Sequence, residues 1–219
     1  GGVTLLVLAP DCTPRINDSI VLEFVQAHQK REQRVDMMNT IATVDENERL
    51  SNIAILLKNG AMAPYMTTAV SNNTACRIAE YVKMHKTTLF CKAQDTSLSS
   101  FGVMVEGTVA TKLGLVGIPP FGEVVHVARM IEIARNFEIG IVFKSIASPR
   151  SIELITKAKE EGVKVSCEVS LHHLMHCDEA CEDFNTTAKL NPPLVQKEAM
   201  LALQEAVEGA PPALTLPER

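Results

Sequence analysis

Short apolar runs alternate with helix-like segments along most of the chain. Residues 3–8 form an uninterrupted apolar run, which is typical of a strand covered on both faces. The same pattern predicts further strands at residues 35–44, 61–66, 87–91, 139–143 and 163–169. About six units of strand followed by helix favour a sheet of parallel strands in an α/β fold.

Helix start and stop signals lie between these strands. Asp18 and Ser19 are N-cap candidates for the first helix, and Asn47 is predicted to cap a second helix that runs through Leu50 and ends before Gly60. Ser148-Pro149 provides an N-cap followed by proline for a helix that ends at Glu161. Further helices are predicted at residues 74–85, 121–137 and 178–183, and a last one follows Asn191-Pro192-Pro193 and ends at Glu208.

One connection is long for a compact domain. Residues 102–120 contain four glycines and two prolines and carry no clear periodicity. Connections of this length are either functional or ordered by contacts made elsewhere.

Two of the predicted strands end in lysine. Lys92 follows the run TTLFC and Lys144 follows IGIVF. In parallel α/β architectures the C-terminal ends of the strands carry the chemistry. Each lysine is therefore either an inward-pointing cation or a side chain that extends to the rim.

Composition and charge narrow the class of protein. The chain has 219 residues, 46% of them hydrophobic, which is enough for one core and indicates a globular domain. The net charge is −5 and no basic run is present, so we do not expect a nucleic-acid partner. No apolar stretch reaches the roughly 20 residues that a membrane-spanning helix needs, and no signal peptide is predicted.

The six cysteines are scattered rather than arranged as a disulfide framework. We interpret them as reduced thiols of a cytoplasmic protein: Cys12, Cys76, Cys91, Cys167, Cys177 and Cys181. The chain begins with Gly1-Gly2 and enters a strand directly, so we expect it to be the interior of a larger protein.

Four stretches resemble the dihydroorotase branch of the amidohydrolase superfamily: GVTLLVLAPDCTP, MVEGTVATKLGLVGIPP, VKVSCEVSLHHL and KLNPPL. The resemblance extends from Gly2 to about Gly209, and TKLGLVGIPP and KLNPPL are its most specific parts. It implies a (β/α)8 TIM-barrel-type amidohydrolase, here incomplete. Residues 1–219 would form a single barrel domain that lacks the first barrel unit and the family's accessory β-sandwich.

The metal ligands of that family are not matched. The active members of that family carry an HxH pair on the first strand and an Asp or a carboxylated lysine after the fourth strand. They carry one histidine at the end of the fifth strand and one at the end of the sixth strand, and an Asp with two His residues at the eighth strand. The matching region after the fourth strand reads AMAPYMTTAV, and Lys92 and Lys144 stand at the two histidine positions. An ammonium group has no lone pair and repels Zn²⁺, so we expect no metal cofactor.

The family's substrate-binding pattern is matched more closely. The asparagine of the second-strand turn is replaced by Asp11, whereas His172, His173 and Asn191 fit the pattern. The resemblance therefore gives no confident catalytic residue but five candidates for ligand binding: Asp11, Lys92, Lys144, His172 and Asn191. Either the two lysines form a metal-free site for a carboxylate, or they are neutralised by Asp11, Asp95 or Glu168, which we favour because buried charges need partners.

Two weaker interpretations concern histidines and cysteines. His172, His173, His176 and Cys177 are close in sequence, but they lack the spacing of a strong zinc signature. Cys91 precedes Lys92, and alternation along the strand predicts that it points away from the barrel interior as a core thiol. His126 is predicted to be a surface or packing residue.

The resemblance implies a pseudoenzyme of pyrimidine biosynthesis, a cytoplasmic dihydroorotase-like oligomer that acts as a structural partner of aspartate transcarbamoylase. One alternative is an active dihydroorotase or related cyclic amidase, with zinc held by segments absent from this chain. Another is a barrel that binds a carboxylate such as dihydroorotate or carbamoyl-aspartate without turnover.

Overall fold

The fold is described here from a computed structural model, which covers residues 3–32, 35–99 and 101–209. The glycines at the start of the chain and the tail from residue 210 lie outside the described residues.

Six strands in the described part of the chain form one parallel sheet, and their order in space follows their order in sequence. Two further strands, which lie between the fourth and fifth strands of this sheet in sequence, form a separate parallel pair. The strands are β1 (Leu5–Leu8), β2 (Asp36–Ala42), β3 (Ala63–Met66), β4 (Thr88–Lys92), β5 (Met104–Val105), β6 (Gly117–Ile118), β7 (Gly140–Lys144) and β8 (Val165–Cys167). In the main sheet β4 is paired with β7, so the C-terminal ends of β1 to β4, β7 and β8 lie along one edge.

Helices connect the strands in the right order for repeated strand–helix units. They are α1 (Ser19–Glu32), α2 (Ile53–Lys58), α3 (Asn72–Met84), α4 (Thr96–Ser99), α5 (Thr108–Leu113), α6 (Phe121–Phe137), α7 (Pro149–Glu160), α8 (Leu171–Met175) and α9 (Lys197–Glu208). Two 3₁₀ helices lie at Asp178–Phe184 and Thr186–Ala188. The fold prediction of parallel strand–helix units is confirmed.

The two faces of the main sheet bury different residues. On the outer face, Leu89, Cys91 and Phe143 are fully buried in the main core, which is shared with the helices. On the inner face, Phe90 and Val142 belong to a smaller cluster. Because side chains alternate along a strand, the terminal lysines of β4 and β7 lie on the inner face, with Phe90 and Val142. Cys91 points outward, as predicted.

The capping signals were partly correct. The Asp18 carboxylate accepts hydrogen bonds from the backbone N–H groups of Ile20 and Val21, as an N-cap residue should. Ser148 precedes Pro149 at the start of α7, but its side chain makes no capping hydrogen bond. Gly60 follows α2 with a φ of 92°, a conformation that glycine adopts without steric cost.

The helix predicted from Asn47 was wrong at its start. Residues 45–49 form a turn in which the Asp45 carboxylate accepts hydrogen bonds from the N–H groups of Asn47 and Arg49. Leu50 forms an isolated bridge with Val44, and α2 begins only at Ile53. An Asp side chain bound to the following backbone stabilises a turn in competition with a helix.

The long connection at residues 102–120 contains local structure that its sequence did not reveal. It contains β5, α5 and β6 and is closed by a hydrogen bond from Val103 N to Val116 O (3.0 Å). A Cβ atom at Gly117 would lie 2.6 Å from the Glu106 Cα, so glycine is required for the close approach of β5 and β6. Strands of two residues are too short for periodicity to indicate them.

Elsewhere some predicted element ends coincide with the observed ones and the others differ by a few residues. The helix α6 was predicted with the bounds that it has. In the described part of the chain, no helix combines the length and apolar character that crossing a membrane requires.

Candidate ligand site at the strand ends

The two strand-end lysines are direct neighbours in the sheet. In the parallel ladder between β4 and β7, Lys92 and Lys144 are register partners, as are Cys91 and Phe143 before them. Both lysines are half-buried and lie on the inner face. The sequence prediction that two cations meet at one edge of the sheet is therefore confirmed.

Lys144 is neutralised by a carboxylate from the next strand. Its Nζ lies 2.5 Å from Oε2 of Glu168, which directly follows β8. The ammonium group also lies 5.6 Å from the centre of the Phe90 ring, within the range of a cation–π interaction. The predicted pairing with Glu168 is confirmed, and this lysine is held by its own neighbours.

Lys92 has no such partner among the described residues. Asp11, its predicted partner, instead forms an ion pair with Arg15 (3.4 Å), and Asp95 accepts hydrogen bonds from Ser97. Burial lowers the pKa of Lys92, and the negative charge of Asp11 opposes that shift without contacting the ammonium group. The predicted neutralisation by a direct pair is thus wrong for Lys92.

A polar cavity of about 410 Å³ lies beside Lys92. Its wall includes the cations Lys92 and Arg15, the carboxylates of Asp11 and Glu46, and the hydroxyl-bearing Thr67 and Thr68 that follow β3. Lys144 is not part of this wall. Because Arg15 is paired with Asp11, Lys92 and the threonine hydroxyl groups are the donors that this wall offers to an anion such as a carboxylate.

Tyr65 is close enough to both Asp11, beside the Lys92 cavity, and Glu168, beside Lys144, to be affected by their charges. It lies on the inner face in the same cluster as Phe90, with the two ring centres 6.3 Å apart. Burial raises its pKa, and the negative charges of Asp11 and Glu168 raise it further. The Tyr65 hydroxyl therefore stays protonated and is able to donate a hydrogen bond near the C-terminal end of β3.

The other two candidates are not brought to the cavity. His172 and Asn191 are exposed, and neither is part of the wall of the Lys92 cavity. His172 lies on α8, where its backbone N–H binds the Ser170 hydroxyl. The structure therefore joins Asp11 and Lys92 but leaves His172, Asn191 and Lys144 outside their cavity.

The weak zinc alternative gains no geometric support. His173 is buried with its Nε2 3.1 Å from the carbonyl oxygen of Pro193, and burial lowers its pKa. His172 and His176 are exposed. No group of three or more His, Cys, Asp or Glu side chains in the described ranges has the spacing to hold a metal ion.

The strand ends themselves do not fit zinc. A zinc site requires neutral imidazole, thiolate or carboxylate donors at about 2.0–2.3 Å from the metal. At these positions the side chains are ammonium groups, and the Glu168 carboxylate is already bound to one of them. The lysine pair therefore places positive charge at the ends of β4 and β7.

A buried polar network lies on the opposite face of β4. The Cys91 Sγ is 3.3 Å from Nε2 of His126, and Nδ1 of His126 is 3.1 Å from a guanidinium nitrogen of Arg129. Burial raises the pKa of Cys91 to about 12 and lowers that of His126 to about 4. Both groups are therefore neutral at pH 7, which confirms the core-thiol and packing interpretations.

Sequence reasoning missed a second cavity, of about 110 Å³. It lies among the segments after β4, β6, β7 and the 3₁₀ helices, and Glu123 of α6 is part of its wall. The Glu123 carboxylate accepts hydrogen bonds from the N–H groups of Ala147 and Ser148, both at 2.9 Å. Burial raises its pKa to about 7. A glutamate near the start of an amphipathic helix gives no sequence signal for such a role.

Comparison with known proteins identifies relatives over nearly the whole chain. No family model matches. The chain is 34% identical over 216 residues to the dihydroorotase of Caldanaerobacter subterraneus subsp. tengcongensis, a match that covers 95% of this chain and 49% of that protein. A dihydroorotase of Acetivibrio thermocellus is 33% identical over 212 residues, with 95% and 50% covered. The chain thus spans about half the length of the curated relatives it matches.

Solved structures agree on the fold. L-hydantoinase from Arthrobacter aurescens superposes with a TM-score of 0.75 at 20% identity, covering 93% of this chain and 47% of that one. Dihydroorotase from Saccharomyces cerevisiae gives 0.74 at 15%, covering 96% and 60%. The inactive dihydroorotase-like domain of a Chaetomium thermophilum CAD-like multifunctional protein gives 0.65 at 17%, covering 94% and 52%. These likenesses confirm the TIM-barrel-type prediction, of which the main sheet is a half-barrel.

Proposed function

Since the chain belongs to the dihydroorotase family by homology over 95% of its length, we propose that it is part of a dihydroorotase-like barrel that serves pyrimidine biosynthesis without zinc-dependent hydrolysis of its own. The observation that carries this proposal is the register pairing of Lys92 with Lys144 at the strand ends. Two adjacent ammonium groups supply positive charge but no metal ligand. The Glu168 carboxylate is already committed to its ion pair with Lys144.

The proposed role is that of a structural partner of aspartate transcarbamoylase in a cytoplasmic oligomer. The support is indirect: the sequence resembles metal-site-deficient dihydroorotases, and the fold resembles a domain described as inactive. Co-elution of the full-length protein with aspartate transcarbamoylase tests this part directly.

The same barrel is proposed to bind a carboxylate ligand of the dihydroorotate or carbamoyl-aspartate type. The support is the Lys92 cavity, where the ammonium group has no ion-pair partner within the described ranges, whereas Arg15 in the same wall is paired with Asp11. A carboxylate bound there would neutralise Lys92 in the way that Glu168 neutralises Lys144. Asp11 and Glu46 lie in the same wall, so a bound carboxylate contacts Lys92 and not the acidic side of the cavity.

The experiment uses the full-length protein with and without added zinc. Dihydroorotate hydrolysis and the reverse ring closure are followed by absorbance, and ligand binding is measured by calorimetry. We expect binding of N-carbamoyl-aspartate without turnover under either condition. Zinc-dependent turnover at a rate typical of enzymes, above about 1 per second, would contradict the proposal.

The second candidate is an active dihydroorotase whose zinc ligands lie in segments outside this chain. It is favoured by the relatives at 34% identity, which are named dihydroorotase and are about twice as long. In that case zinc would be held by residues outside this chain, while Lys92 and Asp11 would still form one wall of the substrate site. Turnover that is lost on chelation and restored by zinc would select this candidate.

A further inference from the structure

The cavity at Glu123 is separate from the strand-end site and has a different character. Its lining is mainly apolar and includes prolines from three segments: Pro119, Pro149 and Pro193. The Gln196 side chain, also part of the wall, donates a hydrogen bond to the Glu106 carbonyl oxygen (3.0 Å) and so ties the segment before α9 to the lobe formed by residues 102–120. The cavity therefore has walls that are fixed by tertiary contacts.

Glu123 is a half-buried carboxylate that has no ion-pair partner among the described residues. Its Oε2 accepts a hydrogen bond from Ala147 N and its Oε1 accepts one from Ser148 N, and no lysine, arginine or histidine of the described residues forms an ion pair with it. A carboxylate has about four lone-pair positions, so each oxygen retains the capacity for another donor. Buried charges are normally paired, and here the Ser151 hydroxyl and the two backbone N–H groups lower the pKa of Glu123 against the effect of burial.

The rest of the cavity wall adds negative charge and no positive charge. Asp95 is the second carboxylate of the wall, and its Oδ1 already accepts hydrogen bonds from the Ser97 backbone N–H and hydroxyl. No basic side chain in the described ranges contributes to this wall. The electrostatic environment thus favours a cation, and Glu123 has the uncommitted lone pairs to bind it.

We propose that the Glu123 cavity is a binding site for a small organic cation, an ammonium or amidinium group on a short apolar body. The cationic head binds Glu123 through N–H···O hydrogen bonds, and the apolar body lies against Pro149, Pro193 and Ala199. The cavity of about 110 Å³ is well above the minimum of about 10–15 Å³ that one water molecule needs, so it has room for a short organic cation. The site is independent of the carboxylate site at Lys92.

The test compares two probes of equal size. Butylammonium and its neutral counterpart 1-butanol are titrated into the full-length protein at pH 8.5, where Glu123 is ionised, and the amide signals of Ala147 and Ser148 are followed by NMR. We expect saturable shifts of both signals and an affinity for butylammonium about tenfold higher than for 1-butanol, which corresponds to roughly 1.4 kcal/mol.

Three variants locate the binding. Glu123→Gln keeps the shape but removes the charge, and it should abolish the preference for the cation. Ala199→Leu leaves Glu123 intact but fills the cavity from α9, and it should weaken both probes about tenfold. Glu132→Gln lies on the same helix in an exposed ion pair with Arg135, and it should leave both affinities unchanged.

Two results would overturn the proposal. One is the absence of saturable shifts at Ala147 and Ser148 with butylammonium. The other is a preference for the cation that persists in Glu123→Gln or an affinity that is unaffected by Ala199→Leu. If Glu123→Gln fails to fold, Ala199→Leu decides the question alone, since it changes only the space available.

Discussion

The ends of β4 and β7 present the same side chain in the same register but in two different electrostatic states. Lys144 is held by Glu168 at 2.5 Å, whereas Lys92 faces a polar cavity with no ion pair among the described residues. The difference arises from the neighbouring strands. The strand beside β7 is followed by a glutamate, and β3, beside β4, is followed by Thr67 and Thr68. The last position of β4 and of β7 places a lysine at the edge of the sheet. The residues that follow the adjacent strand determine whether that lysine is paired or free to bind a ligand.

Removing the Glu168 carboxylate, which pairs with Lys144, should have the largest effect, a loss of folding stability. Glu168→Gln leaves the half-buried Lys144 ammonium without its partner, and we expect the free energy of unfolding to fall by about 2 kcal/mol, less than for a fully buried pair because Glu168 is partly exposed. Chemical denaturation measures the change. Glu153→Gln, which removes an exposed pair with Arg150, is the matched control and should cost less than about 0.5 kcal/mol. Equal losses in the two variants would show that Lys144 and Glu168 gain nothing from their position.

Ligand affinity should depend on Lys92 and not on Lys144, whereas the stability effect of Glu168→Gln concerns Lys144. Lys92→Met is expected to weaken the binding of N-carbamoyl-aspartate at least about tenfold, because it removes the unpaired cation of the cavity. The double variant Lys144→Met/Glu168→Gln removes a neutral pair and should change the affinity less than about threefold. Calorimetry gives both values. A larger loss in the double variant than in Lys92→Met would mean that the ligand site includes the pair and the comparison is wrong.

Lys92→Met should not lose stability, unlike Glu168→Gln, which leaves Lys144 without its partner. An ammonium group that is partly desolvated without a partner is unfavourable, so its replacement by methionine should leave stability unchanged or raise it by up to about 1 kcal/mol. Lys83→Met, which removes an exposed pair with Glu138, is the control and should be neutral or slightly destabilising. A loss above about 1 kcal/mol in Lys92→Met would indicate a partner for Lys92.

The smallest effect concerns the titration of Lys92. Burial lowers its pKa from 10.5, so the folded state disfavours the charged form, and stability rises as the pH increases through the lowered pKa towards 10.5. Anion affinity should be lost over the same window, since only the protonated lysine binds. Asp11→Asn removes the charge that opposes the shift, so the loss should begin at a lower pH. An unchanged affinity profile in Asp11→Asn would show that Asp11 does not act on Lys92.

Much of the fold was accessible from sequence because it depends on periodicity. The apolar runs predicted each strand of the main sheet, and the amphipathic pattern of residues 121–137 predicted α6 with its exact bounds. The two-residue strands β5 and β6 were missed because they depend on a close backbone approach at Gly117 that no periodicity encodes. The early start predicted for α2 failed because the Asp45 side chain stabilises a turn.

The candidate site was only partly predictable. Strand ends predicted that Lys92 and Lys144 would be neighbours, and alternation predicted that Cys91 would point away from them. The choice of partner depends on which carboxylate lies within about 3 Å, a distance that sequence spacing does not give. Glu123 escaped notice because its role depends on two backbone N–H groups from a segment more than twenty residues away.

The most direct test of the account is the zinc content of the full-length protein. It is purified without an affinity tag that binds metal, soaked with zinc, freed of excess metal and analysed by inductively coupled plasma mass spectrometry. The account predicts far less than one zinc per chain before and after the soak. One or more tightly bound zinc ions per chain, together with hydrolysis of dihydroorotate, would contradict it and identify an active dihydroorotase.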